Sequence, residues 1–254
     1  MAWGQGKESW SVDYQVLEGR TAEPAVWQKL TALLETHYLT ESGASLPITK
    51  FAIDSGYATP EVYAWARQHN DGRAIVIKGD ARAAGPVGQP SPVDVGPRGQ
   101  RIRRGIKVWP VNGAMIKEEL YRWLHLDRPT EESGDPYPSG YCHFPKYGEE
   151  YFKQLTAEQL VTRIVKGYRR PEWQKTRERN EGLDCRVYAR AAAAVSGMDR
   201  FSDANWQNLE QHVEQLAAQA KQPAESARPQ AQSKRIIRSR WLDSHRTANW
   251  FDRW

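Results

Sequence analysis

The sequence predicts an α/β fold, in which short apolar strands alternate with amphipathic helices. Residues 51–54 and 73–80 are apolar segments bounded by turn residues, which indicates two buried strands. Helical periodicity occupies the stretches before, between and after them, at 24–38, 60–68 and 114–126. Because strands separated by helices need crossover connections, we expect at least part of the sheet to be parallel.

The segment at 8–18 is expected to add a strand, since Trp10, Val12, Tyr14 and Val16 alternate with polar residues and would share one face. For the helix near residue 60, Thr59 is the expected N-cap and Pro60 the first helical residue. Further along, we expect strands at 105–113 and 162–170, a short extended piece at 140–145, and helices from 148 and over 181–195.

A domain boundary is predicted near residue 200. Residues 1–200 would form the α/β domain, and 201–254 a Gln/Ala-rich loose helix and linker that end in a basic tail. The tail at 234–254 carries six Lys/Arg against two Asp. Its Trp241, Trp250 and Trp254 are too many aromatic anchors for so short a segment to bury alone, so they predict docking onto a partner or stacking on nucleic acid.

Composition excludes several classes of protein. No run of eighteen apolar residues and no apolar leader is present, which argues against a membrane span or a secretory signal and favours the cytoplasm. The two cysteines form neither a disulfide framework nor a zinc motif. A net charge of +5 permits a polyanionic partner without requiring one.

Two aspartates end or begin elements that would pack together. Asp54 closes an apolar strand, where it could cap the next helix, bind a metal or form an ordinary turn. Asp184 lies near the start of the helix at 181–195, where the helix dipole alone also favours an acid. Two carboxylates that converge from separate elements could instead hold divalent cations for phosphodiester hydrolysis.

Four segments resemble the C-terminal nuclease domain of the lambda-type (GpA) phage terminase large subunit. They are "AWGQGKESWSVDYQVLEG" at 2–19, "FAIDSGYATPEVYAWAR" at 51–67, "IVIKGD" at 75–80 and "RNEGLDCRVYARAAA" at 179–193. The resemblance runs in order over about residues 2–200. It implies an RNase H-like fold, and a metal-dependent endonuclease that cuts concatemeric viral DNA during genome packaging.

By the same resemblance, Asp54 and Asp184 match two acidic catalytic positions that would hold two Mg²⁺ or Mn²⁺ ions. The implied partners are double-stranded viral DNA, the terminase small subunit and the portal of the prohead, all in the host cytoplasm. The sequence departs from the family in two ways. The first strand with its acid would lie upstream of Met1, and "GQGKES" lacks the residues of a P-loop. A non-catalytic packaging or portal-docking module with a degenerate site is therefore the alternative.

Basic residues near the predicted sheet edge are candidates for DNA contact. Lys78 ends an apolar strand, from which its ammonium could reach a phosphate or the carboxylates, or could simply be solvated. Four more follow the Gly/Pro-rich loop at 81–104 and could track a phosphate backbone, although a charge run is usually a solvated face. They are Arg101, Arg103, Arg104 and Lys107.

Overall fold

The computed structural model describes residues 1–93, 105–130 and 132–221, which form a mixed α/β fold. Its strands are β1 (Ala2–Trp3), β2 (Ser9–Trp10), β3 (His37–Leu39), β4 (Ser45–Pro47), β5 (Phe51–Asp54), β6 (Ala74–Gly79), β7 (Ser91–Pro92), β8 (Lys107–Val111), β9 (Cys142–His143), β10 (Glu158–Val165) and β11 (Tyr168–Lys175). Its helices are α1 (Pro24–Leu34), α2 (Thr59–Gln68), α3 (Gly113–Trp123), α4 (Glu149–Leu155), α5 (Glu181–Val195) and α6 (Asp203–Lys221).

The central sheet has four strands in the order β5-β6-β8-β7. Strands β5, β6 and β8 are parallel, and β7 pairs antiparallel with β8. The predicted α/β class and parallel pairing are thus confirmed. Three smaller sheets accompany it: β1-β2-β9, the hairpin β3-β4 and the long hairpin β10-β11.

The alternation of side chains along β6 divides the core between the two faces of the central sheet. Ile75 and Ile77 belong to a cluster with residues of α3, α4 and α5, whereas Val76 belongs to a cluster with residues of α1 and α2. Asp54 is the register partner of Ile77, so strand pairing places it on the α5 side of the sheet.

The start of α2 corrects one prediction. Its N-cap is Ala58, in the left-handed region at φ 49°, and not Thr59. The Thr59 hydroxyl donates a hydrogen bond back to the Ser55 carbonyl at 2.7 Å, so it satisfies an acceptor in the preceding turn instead of capping the helix. Pro60 is the second helical residue, one position later than predicted, and its missing N–H costs nothing in the first turn.

Two predicted elements, the strand at 8–18 and the helix that begins at residue 148, are shorter in the structure than in the prediction. Within 8–18 only Ser9 and Trp10 are in a strand, and Val12 and Val16 are exposed, because no sheet covers the proposed apolar face. The helix predicted from residue 148 ends at Leu155, and "EQLV" starts β10.

Helix α6 continues the described structure past residue 200. Trp206 packs with Ala193 of α5 and with Met198, so the beginning of this segment is attached to the α/β body. The boundary near residue 200 stays a prediction, and residues 222–254, with the predicted docking residues Trp241, Trp250 and Trp254, lie outside the described residues. In the described part of the chain, no helix is long and apolar enough to cross a membrane.

Candidate functional site

Asp54 lies at the carboxyl end of β5, where the chain turns sharply towards α2. Its carboxylate accepts a hydrogen bond from the Gly56 amide at 3.1 Å, which is the local turn interaction expected of an aspartate. The adjacent Ser55 is 1% exposed and donates its hydroxyl to the Ile77 carbonyl of β6 at 2.9 Å. These contacts fix the end of the strand and the position of the Asp54 side chain.

Asp184 is carried by α5, which has the predicted bounds and packs across the central sheet. Leu183 is fully buried in the core beside Ile77, and it anchors the first turn. Gly182 allows close approach to α4, since a Cβ there would stand 3.3 Å from the Gln154 Cβ. Asp184 follows these two buried residues and is only partly exposed, so packing fixes its position.

The fold brings Asp54 and Asp184 together. Burial raises the pKa of the Asp184 carboxyl, the charges of Lys117 and Lys175 oppose that rise, and those of Glu158 and Asp54 add to it. A carboxyl whose ionised form is disfavoured by burial and by nearby negative charge is common at functional sites. Asp54 therefore faces a helix that carries a second carboxylate.

Tyr188 joins the pair and was missed by sequence reasoning. It lies one helical turn after Asp184, on the same face of α5. Burial raises the pKa of the Tyr188 phenol far above its usual value, and the neighbouring Asp54 and Asp184 charges and hydrogen bonding to Asp54 raise it further. The phenol therefore stays protonated and can serve the carboxylates as a hydrogen-bond donor.

A buried polar network lies next to Asp184. Glu158 of β10, 5% exposed, accepts hydrogen bonds from Lys117 at 2.7 Å and from the Asn180 side chain at 2.9 Å. Asn180 in turn accepts one from Lys175 at 2.8 Å. Glu158 is therefore committed to these partners and acts on Asp184 through its charge.

The carboxylates of Asp54 and Asp184 could provide part of the coordination shell of a hard divalent cation. Carboxylate oxygens are the ligands that Mg²⁺ prefers, and this ion is commonly held by one or two carboxylates, with waters and substrate phosphates completing the shell. In residues 1–93, 105–130 and 132–221 no three His, Cys, Asp or Glu side chains are grouped as metal ligands. Asp54 and Asp184 could thus supply two carboxylate ligands to such an ion.

The two described residues that were predicted to contact DNA, Lys78 and Lys107, do not lie beside Asp54 in the sheet. Lys78 is exposed at the end of β6, and strand alternation places it with Val76 on the face opposite to Asp54. Lys107 is exposed at the start of β8. Because the strands are parallel, it lies at the end of the sheet opposite to Asp54, which is the last residue of β5. Their contact with DNA stays a prediction, and Arg101, Arg103 and Arg104 lie outside the described residues.

Comparison with known proteins gives a consistent answer. The family model described as terminase large subunit gpA, endonuclease domain, matches residues 1–206. The chain is 32% identical over 199 residues to the terminase large subunit of Escherichia phage lambda, an alignment that covers 76% of this chain and 29% of that protein. It is 31% identical over 196 residues to that of Enterobacteria phage P21, with the same coverage of 76% and 29%.

The chain therefore spans less than a third of the length of these curated relatives. No solved structure matches the chain significantly. The match of the family model covers most of the sequence and includes both Asp54 and Asp184. On this evidence, the chain belongs to the family of terminase large subunit gpA endonuclease domains.

Proposed function

We propose that this chain is the nuclease part of a phage terminase large subunit, and that it cuts concatemeric double-stranded viral DNA during genome packaging. The observation that carries the proposal is the convergence of Asp54 from β5 and Asp184 from α5, beside the protonated Tyr188, in a member of this endonuclease family. An RNase H-like fold and partnership with the terminase small subunit and the portal belong to the same proposal.

Asp54 and Asp184 are the residues that would hold Mg²⁺ or Mn²⁺. Bound divalent cations would supply charge stabilisation for the attacking and leaving oxygens of phosphodiester hydrolysis. The protein contributes position: the turn hydrogen bond from Gly56 orients Asp54, and the packing of Leu183 fixes Asp184. The phenol of Tyr188 can hold the Asp54 carboxylate in place, while Lys117 and Lys175 moderate the negative charge.

Nicking of a supercoiled plasmid in Mn²⁺ tests this function. Asp54→Asn and Asp184→Asn should each reduce the nicking rate at least about 100-fold, since loss of a charge-stabilising group costs several kcal/mol of transition-state stabilisation. Asp127→Asn is the matched control, because Asp127 is exposed beyond the end of α3, away from the carboxyl ends of the parallel strands. Equal rates in all four proteins would contradict the proposal.

A non-catalytic packaging or docking module is the second candidate. The observation that favours it is the two-member acid set, because no third His, Cys, Asp or Glu joins Asp54 and Asp184 among the described residues. This candidate predicts that the chain binds duplex DNA but does not nick it in either Mg²⁺ or Mn²⁺. The same plasmid assay, combined with a binding measurement, separates the two candidates.

A further inference from the structure

The hairpin formed by β10 and β11 projects from the body of the protein. Its strands pair over eight residues each and are joined by Lys166 and Gly167, with φ values of 51° and 82° as in a tight two-residue hairpin turn. Along both strands, only Glu158 is buried and only Val161 and Trp173 are half-buried, and the other residues are exposed. A two-stranded ribbon with both faces in water is marginal by itself, so its base must be held by the body.

That base is held next to the acid pair. The ring of Trp173 contacts Tyr121 of α3 with centroids 4.9 Å apart, and the Thr176 amide donates to the Ala157 carbonyl at 2.8 Å. Glu158 and Lys175, which are register partners at the foot of the hairpin, are both hydrogen-bonded to the side chain of Asn180, at 2.9 and 2.8 Å. Asn180 is the N-cap of α5, the helix that carries Asp184. The hairpin therefore begins beside Asp184 and extends away from it.

The distal half of the hairpin concentrates positive charge on both faces. Arg163 stands directly opposite Arg170, while Arg169 is opposite Ile164 on the other face, and Lys166 lies in the turn. Like charges directly opposite each other destabilise a strand pair, so this arrangement does not serve the hairpin's own stability. Arg163 is paired with Glu172 at 3.2 Å, and the other three cations form no ion pair with any of the described residues.

We propose that the tip of this hairpin binds the phosphates of duplex DNA on one side of the acid pair. A two-stranded ribbon fits the major groove, which is about 12 Å wide and is bounded on both sides by a phosphate backbone. Strands of this length reach roughly 25 Å from the base, at about 3.3 Å per residue. At about 3.4 Å per base pair, that reach corresponds to about seven base pairs. The choice of DNA as the polyanion rests on the proposed function.

The test measures equilibrium binding of a fluorescent 30-base-pair duplex in EDTA, so that cleavage does not enter. The hairpin variant is Lys166→Gln/Arg169→Gln/Arg170→Gln. A plot of the logarithm of its binding constant against the logarithm of the salt concentration should have a slope that is shallower than that of the wild type by about 2–3. Each lost phosphate contact removes about 0.9 from the magnitude of this slope. At ~0.1 M salt its affinity should drop at least about tenfold. Arg169→Lys/Arg170→Lys should keep the slope, because contacts to phosphate need the charge alone.

Arg20→Gln/Lys29→Gln/Lys50→Gln is the matched control, since it removes the same net charge from two exposed positions and one half-buried position, all before the start of β5. Its slope should remain close to that of the wild type. Equal losses in both triple variants would reduce the effect to net charge and overturn the inference. An unchanged slope in the hairpin variant would do the same, as would a dimer that Ile164→Lys dissociates, which would make the hairpin a protein interface.

The two proposals fail separately in these assays. A wild type that nicks DNA while the hairpin variant binds with an unchanged slope would overturn only the inference about the hairpin. A wild type that binds DNA with a hairpin-dependent slope, and never nicks it, would contradict the nuclease and support the hairpin contact. Equal melting temperatures of the two triple variants establish that both are folded.

Discussion

Lys117 of α3 and Glu158 of β10 form an ion pair at 2.7 Å in which 16% and 5% of the side chains are exposed. This pair joins the foot of the long hairpin to the helix that follows the central sheet. Burying two charges costs desolvation energy that their attraction offsets only while both are present. The pair therefore makes the hairpin base sensitive to the loss of either partner.

Glu158→Ala should lower the free energy of unfolding by about 3–5 kcal/mol, because it leaves the Lys117 ammonium buried without its counter-ion. Urea denaturation followed by tryptophan fluorescence measures the change. The double variant Lys117→Met/Glu158→Leu is the control and should recover most of the loss, since apolar replacements of a buried pair are often neutral. A Glu158→Ala protein as stable as the wild type would contradict the burial of this pair.

Divalent cations should stabilise the folded protein if Asp54 and Asp184 hold them. We expect 5 mM Mn²⁺ to raise the melting temperature by about 2–4 °C, a rise typical of about 1 kcal/mol of ligand-linked stability in a protein of this size. Differential scanning fluorimetry with and without Mn²⁺ gives the increment. Asp184→Asn should remove most of it and Asp127→Asn none. An increment that is the same in all three proteins would mean that the cation binds elsewhere.

The raised pKa of Asp184 makes the apo protein's stability depend on pH in a defined direction. Because the folded state binds the proton more tightly than the unfolded chain, the contribution of this group falls as pH rises through its folded pKa and stays low at neutral pH. In EDTA at pH 7, Asp184→Asn should therefore melt a few degrees above the wild type.

That difference should shrink as pH falls towards about 4, where the carboxyl is protonated in the unfolded chain as well. Melting curves in EDTA between pH 4 and 8 follow it. A difference that stays constant, or one that grows towards low pH, would show that the carboxylate is not disfavoured by burial at this position. Asp127→Asn should show no such trend.

Tyr188→Phe should separate the role of the phenol from that of the ring. The ring packs against the main core cluster, so its retention should keep the melting temperature within about 2 °C of the wild type. Loss of the hydroxyl removes a hydrogen-bonding partner of Asp54, worth about 1 kcal/mol, so nicking should slow about fivefold. Duplex binding should be unchanged. Tyr63→Phe, on the opposite face of the sheet, should leave nicking unaltered, and equal nicking by both variants would exclude a role for the Tyr188 hydroxyl.

The sequence was informative where local periodicity and burial agreed. The bounds of α5 were predicted because an apolar stripe and an alanine run mark one face of a helix that packs on the sheet. The pattern at 8–18 misled because alternation shows a capacity for a strand, whereas pairing needs a neighbour, which only Ser9 and Trp10 find.

At the site, the acids were identifiable and their surroundings were not. Tyr188 had a usable signal, since it follows Asp184 by four residues on a helix. Glu158 had none, because it was assigned to a helix, and its burial against Lys117 depends on the path of the hairpin. Spacing along the chain cannot reveal which distant charges share a buried environment.

The origin of the two acids in distant parts of the sequence has a consequence for the timing of activity. Asp54 belongs to the first strand of the central sheet and Asp184 to a helix that follows α4 and both long strands. Contacts so far apart in sequence form only after the chain between them is ordered, because its loop-closure entropy must be overcome first. A growing polypeptide would thus carry no assembled carboxylate pair until α5 has been synthesised and has docked. If the pair cuts DNA as proposed, that activity would be confined to the finished fold.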